Sequence, residues 1–466
     1  MAKTVFMTKK VQFWEITFWF SALFLLLVLG RPVLGLEAQE QEIVTPQAVT
    51  PKAVTQEIVT PQTVTQEAVT PQTSASATMT LAQLEQMALA NHPSLRAYEQ
   101  KICALNGRWQ QAGLGPNPEI AYSGEEMSSA SPGGRQGIEL SQEILGGSQL
   151  YHAQNVVAQQ SETVRQELEM AKLRVLTDVR VAAYEYLAVQ NKLLHLREIY
   201  RNDTQMAEKI EISFKNQNAS RLDLVNSRIL ARKSEQQYLT VQNELKAAWG
   251  RLACLVGNPE MEPCLVNAKL DQISEQKTWE YYSRLLLESS PELARAQAQV
   301  AEARRKIDLE NAKSSTNVTV SAGMAFNSEA DVMEGNVGLS VPLRIRDRNQ
   351  GSIAAARSEA IQAQRECERV ALSVQHRLAD VYARYANACK DLELYRDALI
   401  PEAKEALTLA QTAYENRETG MLELLSAQRT FRETNIEYYD ALCQYWTSLT
   451  ILEGKLLSGG LENSSF

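Results

Sequence analysis

Two acids, Asp223 and Glu423, hold matching places in a chain with few groups able to do chemistry. Each stands just inside an apolar run, in Ser220-Arg221-Leu222-Asp223-Leu224 and in Gly420-Met421-Leu422-Glu423-Leu424. Ser220 and Asp223 have capping-box spacing, and Glu423 falls where a first helical turn favours negative charge. That is structural work, not catalysis. The four histidines, His92, His152, His195 and His376, form no HExxH or His-x-His arrangement. The six cysteines form no CxxC pair, against a redox motif or a zinc ribbon. Cys254 and Cys264 flank a Gly257-Asn258-Pro259 turn and are a candidate disulfide in an oxidising compartment, two buried thiols being the equal alternative. There is no P-loop, no dinucleotide fingerprint and no His-rich or Met-rich tract, so no catalytic residue, cofactor or bound metal is implied. A net charge of -9 and a pI near 5.3 offer no basic face for nucleic acid.

The elements that must position these residues come in two copies. Asn91-His92-Pro93-Ser94-Leu95 returns about 200 residues later as Ser289-Ser290-Pro291-Glu292-Leu293, and Phe214 with Leu222-Asp223-Leu224 returns as Tyr414 with Leu422-Glu423-Leu424. The repeats are assigned to 80–268 and 269–457, with a tail at 458–466. Each begins with a short helix broken before a proline, at His92-Pro93 and Ser290-Pro291, because proline disfavours helical geometry in the residue preceding it. A second helix follows, to about Gly113 and Lys313.

Alternation then predicts one hairpin per repeat. Val318, Val320, Ala322, Met324 and Phe326 alternate with small or polar residues, and Val337, Leu339, Val341 and Leu343 continue the pattern after a 329–335 loop. Ile138, Leu140 and Ile144 do the same after a 128–134 loop. Strands of about ten residues are long enough to cross a membrane at a tilt; a soluble hairpin on a helical core fits the pattern equally well.

Long helices follow, from about Tyr151 to Lys215 and from Gln350 to Asn416. Val164, Leu168, Ala171, Val175, Val179, Ala182, Tyr186, Val189, Leu193 and Leu196 recur at a coiled-coil period, and Leu176, Ala183, Leu187 and Leu194 form a second row. Two rows imply neighbours on two sides. Return helices begin at Arg221 and Met421, making two helical hairpin tips.

Ahead of the repeats, Lys3, Lys9 and Lys10 precede the apolar run Phe18 to Leu29, and residues 1–35 are assigned to an export signal, with a retained anchor as the alternative. Residues 36–79, where valine-threonine recurs at Val44, Val49, Val54, Val59, Val64 and Val69, read as an extended tether.

Several segments, in this order and spacing, resemble TolC-type outer-membrane efflux proteins, most of all the heavy-metal (Czc/Cus-like) branch. They are Leu140 to Gly147, Pro342-Leu343 to Asp347-Arg348-Asn349-Gln350-Gly351, and the tips Ser220 to Leu224 and Gly420 to Gln428. The resemblance covers roughly residues 80–457. It implies an α+β membrane protein: a long coiled-coil helical barrel plus four transmembrane β-strands per chain, closed by a homotrimer into a twelve-stranded barrel. The expected location is the outer membrane with a periplasmic extension.

In this setting Val318, Val320, Met324, Val337, Leu339 and Val341 face outer-membrane lipid. Asp223, Glu423, Phe214 and Tyr414 stand at the pore constriction, where six carboxylates from three chains make a collar favouring cations. Ser220, Arg221, Leu222, Gly420, Met421 and Leu422 form the docking tips for a periplasmic membrane-fusion adaptor, itself joined to an inner-membrane RND-type pump. The chain reads as a passive exit duct, possession of heavy-metal cargo resting on the branch alone. Organic toxicants or a secreted product as cargo, or a non-channel periplasmic coiled-coil scaffold, are the alternatives.

Overall fold

The computed structural model describes residues 78–461 except 126–133, 218, 268–269, 271–272, 274–275 and 417. The export signal, nearly all of the tether, most of the 128–134 loop and the end of the tail lie outside the described residues. In chain order the first repeat contains β1 (Thr78–Thr80), α1 (Leu81–Asn91), α2 (Pro93–Ala112), β2 (Glu119–Glu125), β3 (Arg135–Ile144), α3 (Gln149–Lys215), α4 (Arg221–Val256) and β4 (Leu265–Asn267). The second contains α5 (Trp279–Ser289), α6 (Pro291–Lys313), β5 (Val318–Asn327), β6 (Val332–Ser340) and α7 (Gln350–Leu394). After a π turn at Tyr395–Leu399 it ends with α8 (Ile400–Glu415) and α9 (Met421–Glu453).

Local chemistry sets most of these boundaries. Thr80 and Gln83 form a capping box at α1, Thr278 caps α5, and Gly257 ends α4 at φ 80, where a side chain would be strained. His92 and Ser290 adopt nearly the same extended geometry, φ -66 and -69, so each proline can open its helix. Thr78 and Met79, assigned to the tether, instead belong to β1, which pairs in parallel with β4. The start of the tail is docked too: the Gly459 and Gly460 amides donate to Asp178 at 3.0 and 2.6 Å.

The 67 residues of α3 span ~100 Å. α3 packs along α2 and α6 towards the sheet and along α4 and α9 towards the tips, while α7 packs on α6 and then on α9. The helices thus form a single layer. One buried core gathers α1, α3 and α4 around Leu84, Val179, Tyr186 and Leu252; another gathers α5, α7 and α9 around Tyr282, Leu378, Tyr385 and Tyr445. The stacked rings of Tyr184 and Trp446, 4.5 Å between centroids, join them. The first apolar row is buried or half-buried along its length, but the second loses its cover at Leu194, which is exposed.

The second long helix is not continuous, contrary to the sequence expectation. Pro401 has no N–H and its ring would clash with the carbonyl four residues earlier. The chain accommodates it by widening into the π turn, in which the Ile400 amide donates to the Tyr395 carbonyl.

The four long strands form one antiparallel sheet in the order β2-β3-β5-β6, joining the two hairpins through β3 and β5. The expected 329–335 loop is shorter than the alternation implied, since β6 already begins at Val332. Asn327 Oδ1 accepts the amides of Glu329 and Ala330, and Asp331 takes φ 52, which closes the turn early. At the other end β6 stops at Ser340, leaving Val341 beyond the strand and next to Pro342, which cannot donate to a ladder.

Candidate functional site

The register assigns each strand residue to a face. One carries Ile120, Tyr122, Ile138, Leu140, Val318, Val320, Met324, Phe326, Met333, Val337 and Leu339; Val337 is 85% exposed. The other carries Glu119, Glu125, Glu139, Glu143 and Glu334 with Arg135, Thr319, Ser321 and Asn336. Arg135 bridges Glu125 and Glu334 at 3.5 and 3.0 Å, and the Asn336 amide donates to Glu139 at 3.2 Å.

The two faces differ in crowding as well as polarity. A Cβ on Gly137, Gly323 or Gly338, all on the polar face, would come within 2.5–3.0 Å of cross-strand atoms, whereas one on Gly335, on the apolar face, would meet nothing within 4 Å. Crowding on one side and space on the other mean that the sheet curves, concave towards its polar face.

At the far end of the helices the two tips meet. Ile210 and Leu224 of the first repeat pack with Met421 and Leu424 of the second, with Met206 and Tyr414 against them. Asp223 closes a full capping box: the Ser220 hydroxyl donates to its carboxylate at 2.6 Å and accepts from its amide at 3.1 Å. Among the described residues Glu423 has no hydroxyl partner, and its carboxylate lies over Gly420, so close that a Cβ there would be 3.1 Å from Oε2. Tyr414 is half-buried; burial, with the nearby Asp223 charge, raises its phenol above the usual range.

Three expected placements change. Met421 is only 5% exposed and belongs to the tip core rather than to a docking surface, because the first turn of α9 points it at Leu224 and Leu424. Leu222 and Leu422 remain exposed, as does Phe214, which is outside the cluster that takes in Tyr414. Cys254 and Cys264 are free thiols: Cys254 faces solvent from the last turn of α4, while Cys264 is buried with Val266 in the first core.

A buried polar layer a few turns above the tip completes the site. Asp203 of α3 and Arg432 of α9 are 5% and 8% exposed, with Nη1 and Oδ2 3.7 Å apart, too far for a hydrogen bond, and Oδ2 has no hydrogen-bond partner. Burial pushes the Asp203 carboxyl up, and Ser234 and Arg432 offset only part of that. Further along the same seam the Gln428 amide donates to Met206 Sδ, and His195 packs against the rings of Phe431 and Tyr439. The sequence held a signal for this layer, since Asp203 stands a heptad from Leu196 and from Ile210, both buried. Burial lowers the pKa of His195 and of His92, disfavouring the charged form of each ring in its packed position. Among the described residues no group of three or more His, Cys, Asp or Glu side chains is arranged to hold a metal ion.

Known proteins share this architecture. A cobalt-zinc-cadmium resistance protein, CzcC of Cupriavidus metallidurans, is 22% identical over 382 residues, covering 81% of this chain and 90% of the relative. Among solved structures, a membrane protein from Pseudomonas aeruginosa superposes with a TM-score of 0.69 at 18% identity, over 81% of this chain and 92% of that one. CusC, solved in work on its folding and transmembrane channel formation, gives 0.68 at 17% identity over the same shares, 81% and 92%. The outer membrane protein VceC of Vibrio cholerae gives 0.65 at 18%, over 81% of this chain and 96% of its own. The profile described as "Outer membrane efflux protein" matches residues 84–258 and 282–455, one stretch in each repeat, and the chain belongs to that outer membrane efflux protein family.

Proposed function

We propose that three copies of this chain close into a hollow conduit, a twelve-stranded barrel in the outer membrane continued by a helical tube into the periplasm. The observation that carries this reading is the sheet: an exposed apolar convex face, a polar concave face, and two edges, β2 and β6, with no partner strand among the described residues. An open sheet in lipid would leave its edge groups unsatisfied, whereas closure across three chains pairs every strand and gives an even count. The single helical layer supports the same closure. Val318, Val320, Met324, Val337 and Leu339 then face lipid, with Val341 at the rim.

The conduit serves as the exit duct of a tripartite system, receiving cargo from an inner-membrane RND-type pump through a periplasmic adaptor that docks at the exposed Leu222 and Leu422. The chain has no nucleotide-binding motif, so energy comes from the partner pump. Heavy-metal cations are the cargo this reading favours. Its support is the resistance function in the name of the CzcC relative and the glutamates of the concave face. Purified protein should migrate as a heat-modifiable trimer and conduct ions in planar bilayers; a non-conducting monomer would rule the conduit out. A deletion strain should become sensitive to one or more of copper, silver, zinc, cobalt and cadmium, and sensitivity to dyes alone would reassign the cargo.

At the tips, Asp223 with Tyr414 and Glu423 narrow the periplasmic mouth and attract cations. Asp223→Ala combined with Glu423→Ala should raise single-channel leak or weaken block by added cations several-fold. Unchanged conductance and block would leave these acids with the capping role alone.

A further inference from the structure

The repeats differ sharply in how the sheet is joined to the following helix. Leu145-Gly146-Gly147-Ser148 suffices between β3 and α3, whereas the longer segment from Val341 to Asn349 joins β6 to α7 and carries Arg344, Arg346 and Arg348 against a single acid, Asp347. Both connections end in a left-handed residue, Ser148 at φ 55 and Asn349 at φ 60, so the extra length enters ahead of a shared helix entry.

The segment is held by specific hydrogen bonds. The Asn349 amide N–H donates to Asp347 Oδ1 at 2.9 Å, and the Asn349 side chain donates to the Glu310 carbonyl at 2.9 Å. Arg344 donates to the Lys313 carbonyl at 2.6 Å, satisfying the end of α6. Lys313 is matched by Glu310 at 2.7 Å, whereas Arg346 and Arg348 have no ion-pair partner among the described residues. Leu343 and Ile345, which alternate with the arginines, are 80% and 74% exposed. With Lys313 and Asn349 the segment lines an open groove of about 740 Å³.

Its place in the fold is fixed by register. Ile144 pairs with Val318 and Thr319 with Ser340, so this segment, the β3–α3 connection and the entry to β2 all lie at one end of the sheet. Exposed Leu114 and Tyr151 flank that same end. The exposed apolar run Val337, Leu339, Leu343 and Ile345 therefore passes directly into unpaired guanidinium groups where the sheet gives way to helices.

We propose that this segment is a docking site for the phosphate headgroups of anionic phospholipids in the leaflet nearest the helical tube. Leu343 and Ile345 enter the acyl boundary, and Arg346 and Arg348 engage the phosphate. The inference rests on the reading of the sheet as membrane-spanning. Charge complementarity selects the occupant: guanidinium forks match phosphate oxygens, and long basic side chains at an apolar rim reach outward to the headgroup layer.

The test uses the full-length trimer in detergent, titrated with phosphatidylglycerol or phosphatidylcholine and read by thermal shift, alongside insertion into vesicles of either lipid. Phosphatidylglycerol should stabilise the trimer at concentrations where phosphatidylcholine does not. Arg346→Gln and Arg348→Gln should each weaken that apparent affinity roughly fivefold while trimer formation and insertion persist. Parent-like phosphatidylglycerol affinity in both variants would overturn the proposal, and so would an equal shift from inorganic phosphate, which would mark a simple anion site. Insertion of the parent into both vesicles without lipid preference would overturn the headgroup site alone. Failure to insert into either would remove the membrane-spanning reading and this one with it.

Discussion

An Arg432→Met variant should unfold at a clearly lower temperature than the parent, by the equivalent of roughly 3–5 kcal/mol, because it strands the Asp203 carboxylate in the interior. The deficit should depend on pH. Asp203 already has a raised pKa from burial, and loss of Arg432 removes one of the two groups that hold it down. A carboxyl whose folded pKa lies above its unfolded value favours the native state while protonated. That contribution is complete below the unfolded pKa and is lost as pH rises through the folded one. Arg432→Met should therefore approach the parent in acid and fall furthest behind it at neutral and alkaline pH. Adding Asp203→Leu should restore most of the loss, since two neutral side chains leave no charge to solvate. Thermal unfolding of the three variants across pH checks this; a deficit that is flat with pH, or not rescued by the second substitution, would show that the pair is not coupled.

A lysine at Val337 should cost far more membrane assembly than a lysine at its neighbour Asn336. Val337 is the most exposed large apolar residue of the convex face, and a lysine on a lipid-facing strand costs roughly 2–4 kcal/mol near the bilayer midplane. In the proposed trimer, three symmetry-related copies multiply the penalty. Asn336 points to the concave face and donates to Glu139, so a lysine there meets an opposite charge in a wet environment. Trimer yield in the outer membrane and folding into vesicles should fall steeply for Val337→Lys and change little for Asn336→Lys. Equal yields would mean that the faces are reversed or that the sheet is not in lipid.

Much of the architecture was legible in the chain because it is written in short-range patterns. Proline breaks at His92-Pro93 and Ser290-Pro291 and helices starting at Arg221 and Met421 each depend on neighbours within a few residues, and each formed where the pattern placed it, while the alternation gave one hairpin per repeat but misplaced both ends of β6. Pro401 is legible as well, since proline inside a helical run removes a backbone donor and crowds the preceding turn, but the π turn that absorbs it is not. The early turn at Asp331 and the end of β6 at Ser340 depended on side-chain hydrogen bonds and a missing donor that alternation does not register.

Sequence alone determined the duplication, the main helices and hairpins, the first-turn acids Asp223 and Glu423, and the two-sided character of the strands. All of these follow from local geometry and from spacing. Tertiary structure alone decided which groups from distant parts of the chain share a buried site: Met421 inside the tip, Tyr414 beside Asp223 while Phe214 stays outside, Asp203 opposite Arg432, and Cys254 turned away from Cys264. The reason is that burial belongs to a packed interface and not to a residue. Asp203 occupies a heptad position that spacing can mark, but only the approach of α9 from the other repeat removes its water and supplies its counter-charge.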